Sequence, residues 1–212
     1  MSEGPATRPF LVERDRCATC GTPGAPFLTL PYDAEPLVGY LERFYAGALD
    51  TSQLAGQRYE LVECAQCALV YQRGVPVGDA LDQLYGAAAL HDRDEANQSR
   101  GLAVRQRYSH DVEQCVKYHG GEPAHVEVLD HGAGAGLWLD MAAAYGCRTA
   151  GTELSEAGRR RLAEHGHEAL DPGELPRARF HFINTDQVLE HLTDPRGSVE
   201  RLAAALRPGG VL

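Results

Sequence analysis

Val128-Leu129-Asp130-His131-Gly132-Ala133-Gly134-Ala135-Gly136 sets three alternate glycines where an apolar strand gives way to a helix. Residues without a side chain are needed at such a junction when a ligand must approach the backbone, and the free amides that open a helix favour its polar atoms. Seventeen positions after Gly136 comes Glu153, just past the next short strand, Arg148 to Thr152. A carboxylate there can accept hydrogen bonds from both hydroxyls of a ribose, so the loop and the acid together read as a nucleoside site. A dinucleotide fingerprint needs its third glycine one position later, where this chain has Leu137, and that reading falls behind. Glycines also mark ordinary tight turns, but here strand, loop, helix, second strand and acid follow in order.

Outward from this junction, short apolar strands alternate with helices. Strands are expected at Val126 to Leu129, Arg148 to Thr152, Glu168 to Leu170 and Phe180 to Asn184. Helices are expected at Leu137 to Tyr145, Glu156 to Glu164 and from about Pro195 to Leu206. Such alternation predicts an α/β fold, a mostly parallel Rossmann-like sheet with helices on both faces. Gly146 should cap the first of these helices at its C-terminus, and Asp194 with Pro195 should open the last as N-cap and first-turn proline.

The motifs Asp-x-Gly-x-Gly-x-Gly at 130 to 136, Gly151-Thr152-Glu153-Leu154-Ser155, Asp186-Gln187-Val188-Leu189-Glu190-His191-Leu192 and Arg207-Pro208-Gly209-Gly210 occur in that order. Together they resemble the class I S-adenosylmethionine-dependent methyltransferases, over about the last 87 residues. The resemblance implies that Gly132, Gly134 and Gly136 flank the methionine part of the cofactor, with Asp130 organising the loop and Glu153 binding the ribose. It implies also that Asn184, Asp186 and Gln187 belong to the pocket floor near the methyl group. Asp171 is either the acid that contacts the adenine amino group or part of a plain Asp-Pro-Gly turn.

Methyl transfer from a sulfonium is an in-line displacement, so a protein contributes mainly by positioning and by excluding water. An acceptor that must lose a proton calls for a base, and His191 is the candidate. The rival reading has Glu190 and His191 hold the loop after the fourth strand, or touch the acceptor without moving a proton.

Cys17-Ala18-Thr19-Cys20 and Cys64-Ala65-Gln66-Cys67 are two knuckles. Each supplies two thiolates from one turn, and four thiolates complete a closed tetrahedral shell, so Cys17, Cys20, Cys64 and Cys67 are expected to hold a structural zinc with no position open for catalysis. Buried unligated thiols and an iron-sulfur or redox role are the alternatives. The solitary Cys115 and Cys147 read as core residues. Leu37, Tyr40, Leu41, Phe44 and Tyr45 space as a helix between the knuckles, and Tyr59 to Val62 with Ala68 to Tyr71 reads as a hairpin whose turn holds the metal. Cysteine knuckles followed by a methyltransferase core resemble, more loosely, bacterial enzymes that methylate sugars or sugar nucleotides.

The expected organisation is a flexible start over 1–16, a zinc-ribbon-like domain over 17–76, linking helices over 77–122 and the cofactor domain over 123–212. Within the linker, Asp79 to Tyr85 and roughly Arg93 to His119 look helical, and Tyr85, Tyr108 and His110 are either lid residues over the cofactor mouth or core. Twenty basic against 30 acidic side chains give a net charge of -10, which repels phosphate polyanions,. A small-molecule acceptor is expected, with no nucleic acid and no membrane. The opening residues form no apolar run, so a cytoplasmic location is expected, and in that reducing compartment the paired thiols argue for metal rather than disulfides. An inactive Rossmann-like scaffold carrying a zinc-ribbon protein-binding module is the alternative. The chain stops at Leu212 as a fifth strand begins, which reads as a fragment or as a sheet edge covered by something else.

Overall fold

The computed structural model describes residues 10–45, 47–85 and 101–212, with side chains omitted at Asp79, Asp82 and Tyr85. The chain divides into two compact units, Met1–Leu90 and His91–Leu212.

In the first unit, β2 (Gly24–Pro31), β3 (Arg58–Cys64) and β4 (Val70–Gln72) form an antiparallel sheet in that order. β1 (Leu11–Glu13) pairs with β5 (Gly74–Pro76). The β3–β4 hairpin is the one read from the sequence. β2 is not, because its prolines look like turn residues. Pro26 and Pro31 are tolerated since β2 is an edge strand with an irregular register between Pro26 and Leu28,. The start also differs from expectation, because residues 11–13 are held in a strand and Phe10 is buried with Tyr32, Leu49, Leu54 and Ala80. α1 (Leu37–Tyr45) turns Leu37, Leu41 and Tyr45 toward that cluster and leaves Tyr40 and Phe44 exposed, the one-sided burial of an amphipathic helix. α2 (Asp79–Tyr85) follows β5.

The second unit begins, among described residues, with α3 (Gly101–Tyr118), so the expected helical residues 93–100 lie outside the described range. Then come β6 (Glu127–His131), α4 (Leu137–Tyr145), β7 (Arg148–Thr152), α5 (Glu156–Glu164), β8 (Glu168–Leu170), β9 (Phe180–Asn184), α6 (Pro195–Ala205) and β10 (Leu206–Val211). The sheet order is β10-β9-β6-β7-β8, every pair parallel. The strand order reverses at β6, which places a topological switch point between β6 and β9.

Alternation along β6 explains how both faces are covered. Val128 faces a cluster with Val112, Cys115 and Val116 of α3 and Trp138, Leu139 and Ala142 of α4, whereas Leu129 faces Phe180, Ile183, Leu202 and Ala205, as a period of two requires. α3 is thus a packed layer of this unit rather than a linker, and Tyr108 packs against the same cluster. Cys115 and Cys147 are core residues. Gly146, at φ 97°, and Asp194, whose carboxylate accepts from the Gly197 amide at 2.9 Å, cap α4 and α6 as expected. The fifth strand starts at Leu206, earlier than expected: Leu206 pairs with Phe180 and Val211 with Phe182, and Pro208-Gly209-Gly210 forms an irregularity inside the strand rather than a turn before it,.

Candidate functional site

The two knuckles of the first unit are built alike. Gly21 N–H donates to Cys17 O at 2.9 Å, and Ala68 N–H donates to Cys64 O at 3.1 Å, closing a turn beneath each pair of thiols. Both closing residues have a left-handed backbone, Gly21 at φ 75° and Ala68 at φ 57°. The sulfurs converge across the hairpin, with Sγ–Sγ separations of 3.6 Å for Cys17–Cys67, 3.4 Å for Cys20–Cys64 and 3.7 Å for Cys20–Cys67. A tetrahedron of thiolates around zinc has edges of about 3.8 Å, given a zinc–sulfur bond of about 2.3 Å. The donor set and spacing therefore fit a closed zinc site. Hydrogen bonding from Thr22 draws the Cys20 thiol down to about 6, whereas the neighbouring thiols and burial push Cys67 up to about 12.

In the second unit, the carboxyl ends of β6, β7 and β9 carry the predicted cofactor residues. Asp130 and Asn184 are register partners across the switch point, and Asn184 Nδ2 donates to Asp130 Oδ1 at 2.7 Å. His131 and Thr152 are partners on the other side, joined through Nδ1 and Oγ1 at 2.9 Å. The glycine loop hangs from β7: Gly132 N–H donates to Thr152 O at 3.1 Å and Ala133 N–H to the same oxygen at 3.0 Å. Gly132, Gly134 and Gly136 have φ of 75°, 56° and 79°, conformations in which a side chain is strained,. At Gly132 the space is closed as well, since a Cβ would lie 2.6 Å from Val188 Cγ2. Glu153 Oε1 accepts from Gly134 N–H at 2.5 Å and its Oε2 from Leu154 N–H at 3.2 Å. The structure thus brings the loop and its acidic partner into direct contact.

Burial pushes the Asp130 carboxyl up to about 7; the Asn184 hydrogen bond opposes this, and the charges of Asp186 and Glu153 add to it,. Asp130 is thus held protonated up to about pH 7 by its burial beside Asp186 and Glu153. Two polar atoms near the strand ends, His131 Nε2 and Thr185 Oγ1, are buried without a hydrogen-bond partner among the described residues. Asp171 accepts from Gly173 N–H at 2.7 Å, which makes it the turn residue of its Asp-Pro-Gly,.

Asp186 pairs with Arg107 Nη2 of α3 at 2.7 Å. Sequence reasoning missed Arg107, because a lone arginine on a polar helix carries no signal of what it faces. Gln187 takes a left-handed backbone at φ 58°, and the chain then forms a single 3-10 turn, Leu189–His191. His191 sits half exposed on it, with Nε2 4.0 Å from Glu190 Oε1. His110 is exposed, and the side chain of Tyr85 lies outside the described residues.

Residues 99–212 match a family described as a methyltransferase domain. The chain is 34% identical over 96 residues to a ubiquinone biosynthesis O-methyltransferase of Bradyrhizobium sp. (strain ORS 278), covering 41% of this chain and 38% of that protein. It is 29% identical over 138 residues to one of Methylobacterium sp. (strain 4-46), covering 56% of this chain and 55% of that protein. The chain thus spans from about two-fifths to about half of the length of these curated relatives. A Burkholderia thailandensis 1,6-didemethyltoxoflavin-N1-methyltransferase solved with S-adenosylhomocysteine aligns with a TM-score of 0.41 at 22% identity, covering 72% of this chain and 66% of that one. Among the described residues no helix is long and apolar enough to cross a membrane.

Proposed function

We propose, from the fact that this chain belongs to the methyltransferase domain family, that it serves an S-adenosylmethionine-dependent methyltransferase acting on a small-molecule acceptor. The observation that carries this reading is the meeting of the Gly134 amide and the Glu153 carboxylate at the ends of β6 and β7, 2.5 Å apart. In this reading Glu153 holds the ribose hydroxyls, and Gly132, Gly134 and Gly136 let the methionine part lie against the backbone. Asp130, bonded to Asn184, keeps the loop fixed across the switch point. Asp186 and Gln187 complete the floor, with Arg107 setting the position of the Asp186 carboxylate. S-adenosylmethionine, when bound, supplies a methyl group on a positively charged sulfur.

The curated relatives are named for O-methylation, which supports an acceptor hydroxyl; the finer reading, a sugar or sugar nucleotide, rests on the looser resemblance carried by cysteine knuckles ahead of a methyltransferase core. His191 is our candidate to take the proton of that hydroxyl. On an acceptor identified by mass spectrometry of extract treated with labelled cofactor, His191→Ala should lower turnover at least roughly tenfold without loosening the cofactor. For the first unit we infer a zinc-ribbon-like domain over 17–76 with one structural zinc on Cys17, Cys20, Cys64 and Cys67. Of the expected linker over 77–122 we assign α3 to the cofactor domain, ahead of the part over 123–212, because it packs against β6 and α4. A reducing cytoplasm suits four thiolates.

Titration calorimetry with S-adenosylmethionine tests the proposal. Wild-type chain should give binding heat, and Glu153→Ala should weaken the affinity at least about tenfold, the loss of two charge-assisted hydrogen bonds. Absence of heat with the wild type would leave the inactive-scaffold reading in its place.

A further inference from the structure

A second group of side chains of metal-ligating type, besides the cysteine quartet, lies in the second unit. α5 ends at Glu164, His165 caps it, and Gly166 at φ 85° turns the chain so that His167 leads into β8. Gly166 N–H donates to Ala163 O at 3.0 Å and His167 N–H to Leu162 O at 2.9 Å, so the helix terminus itself fixes where both imidazoles stand,. Opposite them is Asp140, in the first turn of α4, whose amide donates to Gly136 O at 2.8 Å.

Both imidazoles converge on one carboxylate oxygen. Asp140 Oδ1 lies 3.3 Å from His165 Nδ1 and 3.1 Å from His167 Nε2, and the three atoms are all within 4.8 Å of one another. Nitrogen and oxygen ligands of a tetrahedral zinc, each about 2.0–2.1 Å from the metal, stand about 3.3 Å apart. The His167 side chain is 1% exposed, and its other nitrogen is held by Thr149 Oγ1 at 2.9 Å, the outer contact that fixes tautomer and ring orientation in metal-bound histidines,. Asp140 and His165 are 42% and 43% exposed, which leaves solvent a path to the remaining coordination position.

We propose that Asp140, His165 and His167 form a second zinc site, with water as the fourth ligand. A Cβ on Gly136 would stand 3.8 Å from His167 Nε2. A metal there would tie the exit of the glycine loop, through Asp140 and His167, to the turn between α5 and β8. The three ligands lie outside the cysteine quartet and are not among the residues assigned to the cofactor.

The test uses the full chain with Zn2+ and Co2+ alone, at micromolar free metal. Wild type should take up a zinc equivalent beyond the one held by the quartet. Cobalt at this site should give weak visible bands without the intense near-ultraviolet charge-transfer absorption of thiolate ligands. Asp140→Asn and His165→Ala, both at half-exposed positions that spare the buried ring, should each weaken that ion at least about tenfold while leaving the thiolate absorption intact. His167→Ala should abolish it. A wild type whose only bound ion carries the thiolate absorption, or a second ion with unchanged affinity in Asp140→Asn and His165→Ala, overturns the site.

Discussion

The cysteine quartet and the glycine loop are both built on tight turns with left-handed residues, yet they carry their chemistry differently. In the quartet, four identical donors come from two local repeats, and each turn's own backbone hydrogen bond aims its sulfurs. The loop contributes backbone only. Its chemistry comes from Asp130, Thr152, Glu153 and Asn184 on three strands and from Arg107 on a helix, which become neighbours only when the sheet assembles. A site of the first kind should fail all at once when a donor is lost, and one of the second kind should fail in steps.

Cys64→Ser breaks the first half of that contrast most severely. Cys64 is 2% exposed and packs with Cys17, Val62 and Tyr71, so its removal takes away part of a small core together with one ligand of the proposed zinc. Structural zinc contributes on the order of 10 kcal/mol to folding, more than a sheet of this size can replace. The thiolate-to-cobalt absorption should disappear and amide exchange across residues 58–72 should become fast. Retained protection in the absence of bound metal would mean that the quartet is not what holds the hairpin.

For the loop, the pH dependence of stability isolates one step. Asp130 rises from an ordinary 3.8 to about 7 on folding. Between those values the native chain holds a proton that the unfolded chain has lost. The contribution is therefore fully present below about pH 4 and is lost as pH rises through 7. The shift corresponds to roughly 4 kcal/mol. Asp130→Asn keeps an acceptor for Asn184 and has no proton to lose. Its melting temperature should fall less than that of the wild type between pH 4 and 7, and it should be the more stable of the two at pH 7. Parallel pH profiles would show that Asp130 is not buried as described.

This difference in construction also decides what could be read in the sequence. Cys17, Cys20, Cys64 and Cys67 are legible because two-residue spacing and turn geometry are local. Gly132 to Glu153 are legible because strand, turn and acid follow one another along the chain. β2 was hidden, since Pro26 and Pro31 speak for turns until an edge position excuses them,. The Arg107–Asp186 pair and the seating of Val188 over Gly132 span long sequence separations and have no periodic signature. The start of β10 at Leu206 was hidden for the same reason, because only pairing with Phe180 makes a strand of residues that local propensity gives to a helix end.

Two glycines of one loop test how finely that assembly is tuned. Gly132→Ala meets both a left-handed backbone and Val188 Cγ2 at 2.6 Å, whereas at Gly134 only the backbone objects, with no atom within 4 Å of a built Cβ. The left-handed conformation costs an alanine roughly 1–2 kcal/mol, and overpacking adds about 1–3 kcal/mol. Chemical denaturation should therefore rank Gly132→Ala as the more destabilising by at least about 1 kcal/mol. Equal losses would mean that Val188 moves aside, and that the loop is looser than the quartet's turns.

The quartet offers the matching test in reverse, because its two turns close on different residues. The first knuckle closes on Gly21 at φ 75° and the second on Ala68 at φ 57°. Alanine is strained there by about 1–2 kcal/mol, while glycine returns about 0.5–1 kcal/mol of that through the greater freedom of its unfolded chain. Ala68→Gly should therefore stabilise the zinc-loaded protein by up to about 1 kcal/mol, seen as a modest rise in melting temperature with unchanged cobalt spectra. A loss of stability would show that the Ala68 methyl packs usefully beside Cys64, and that the second knuckle, like the glycine loop, depends on contacts beyond its own turn.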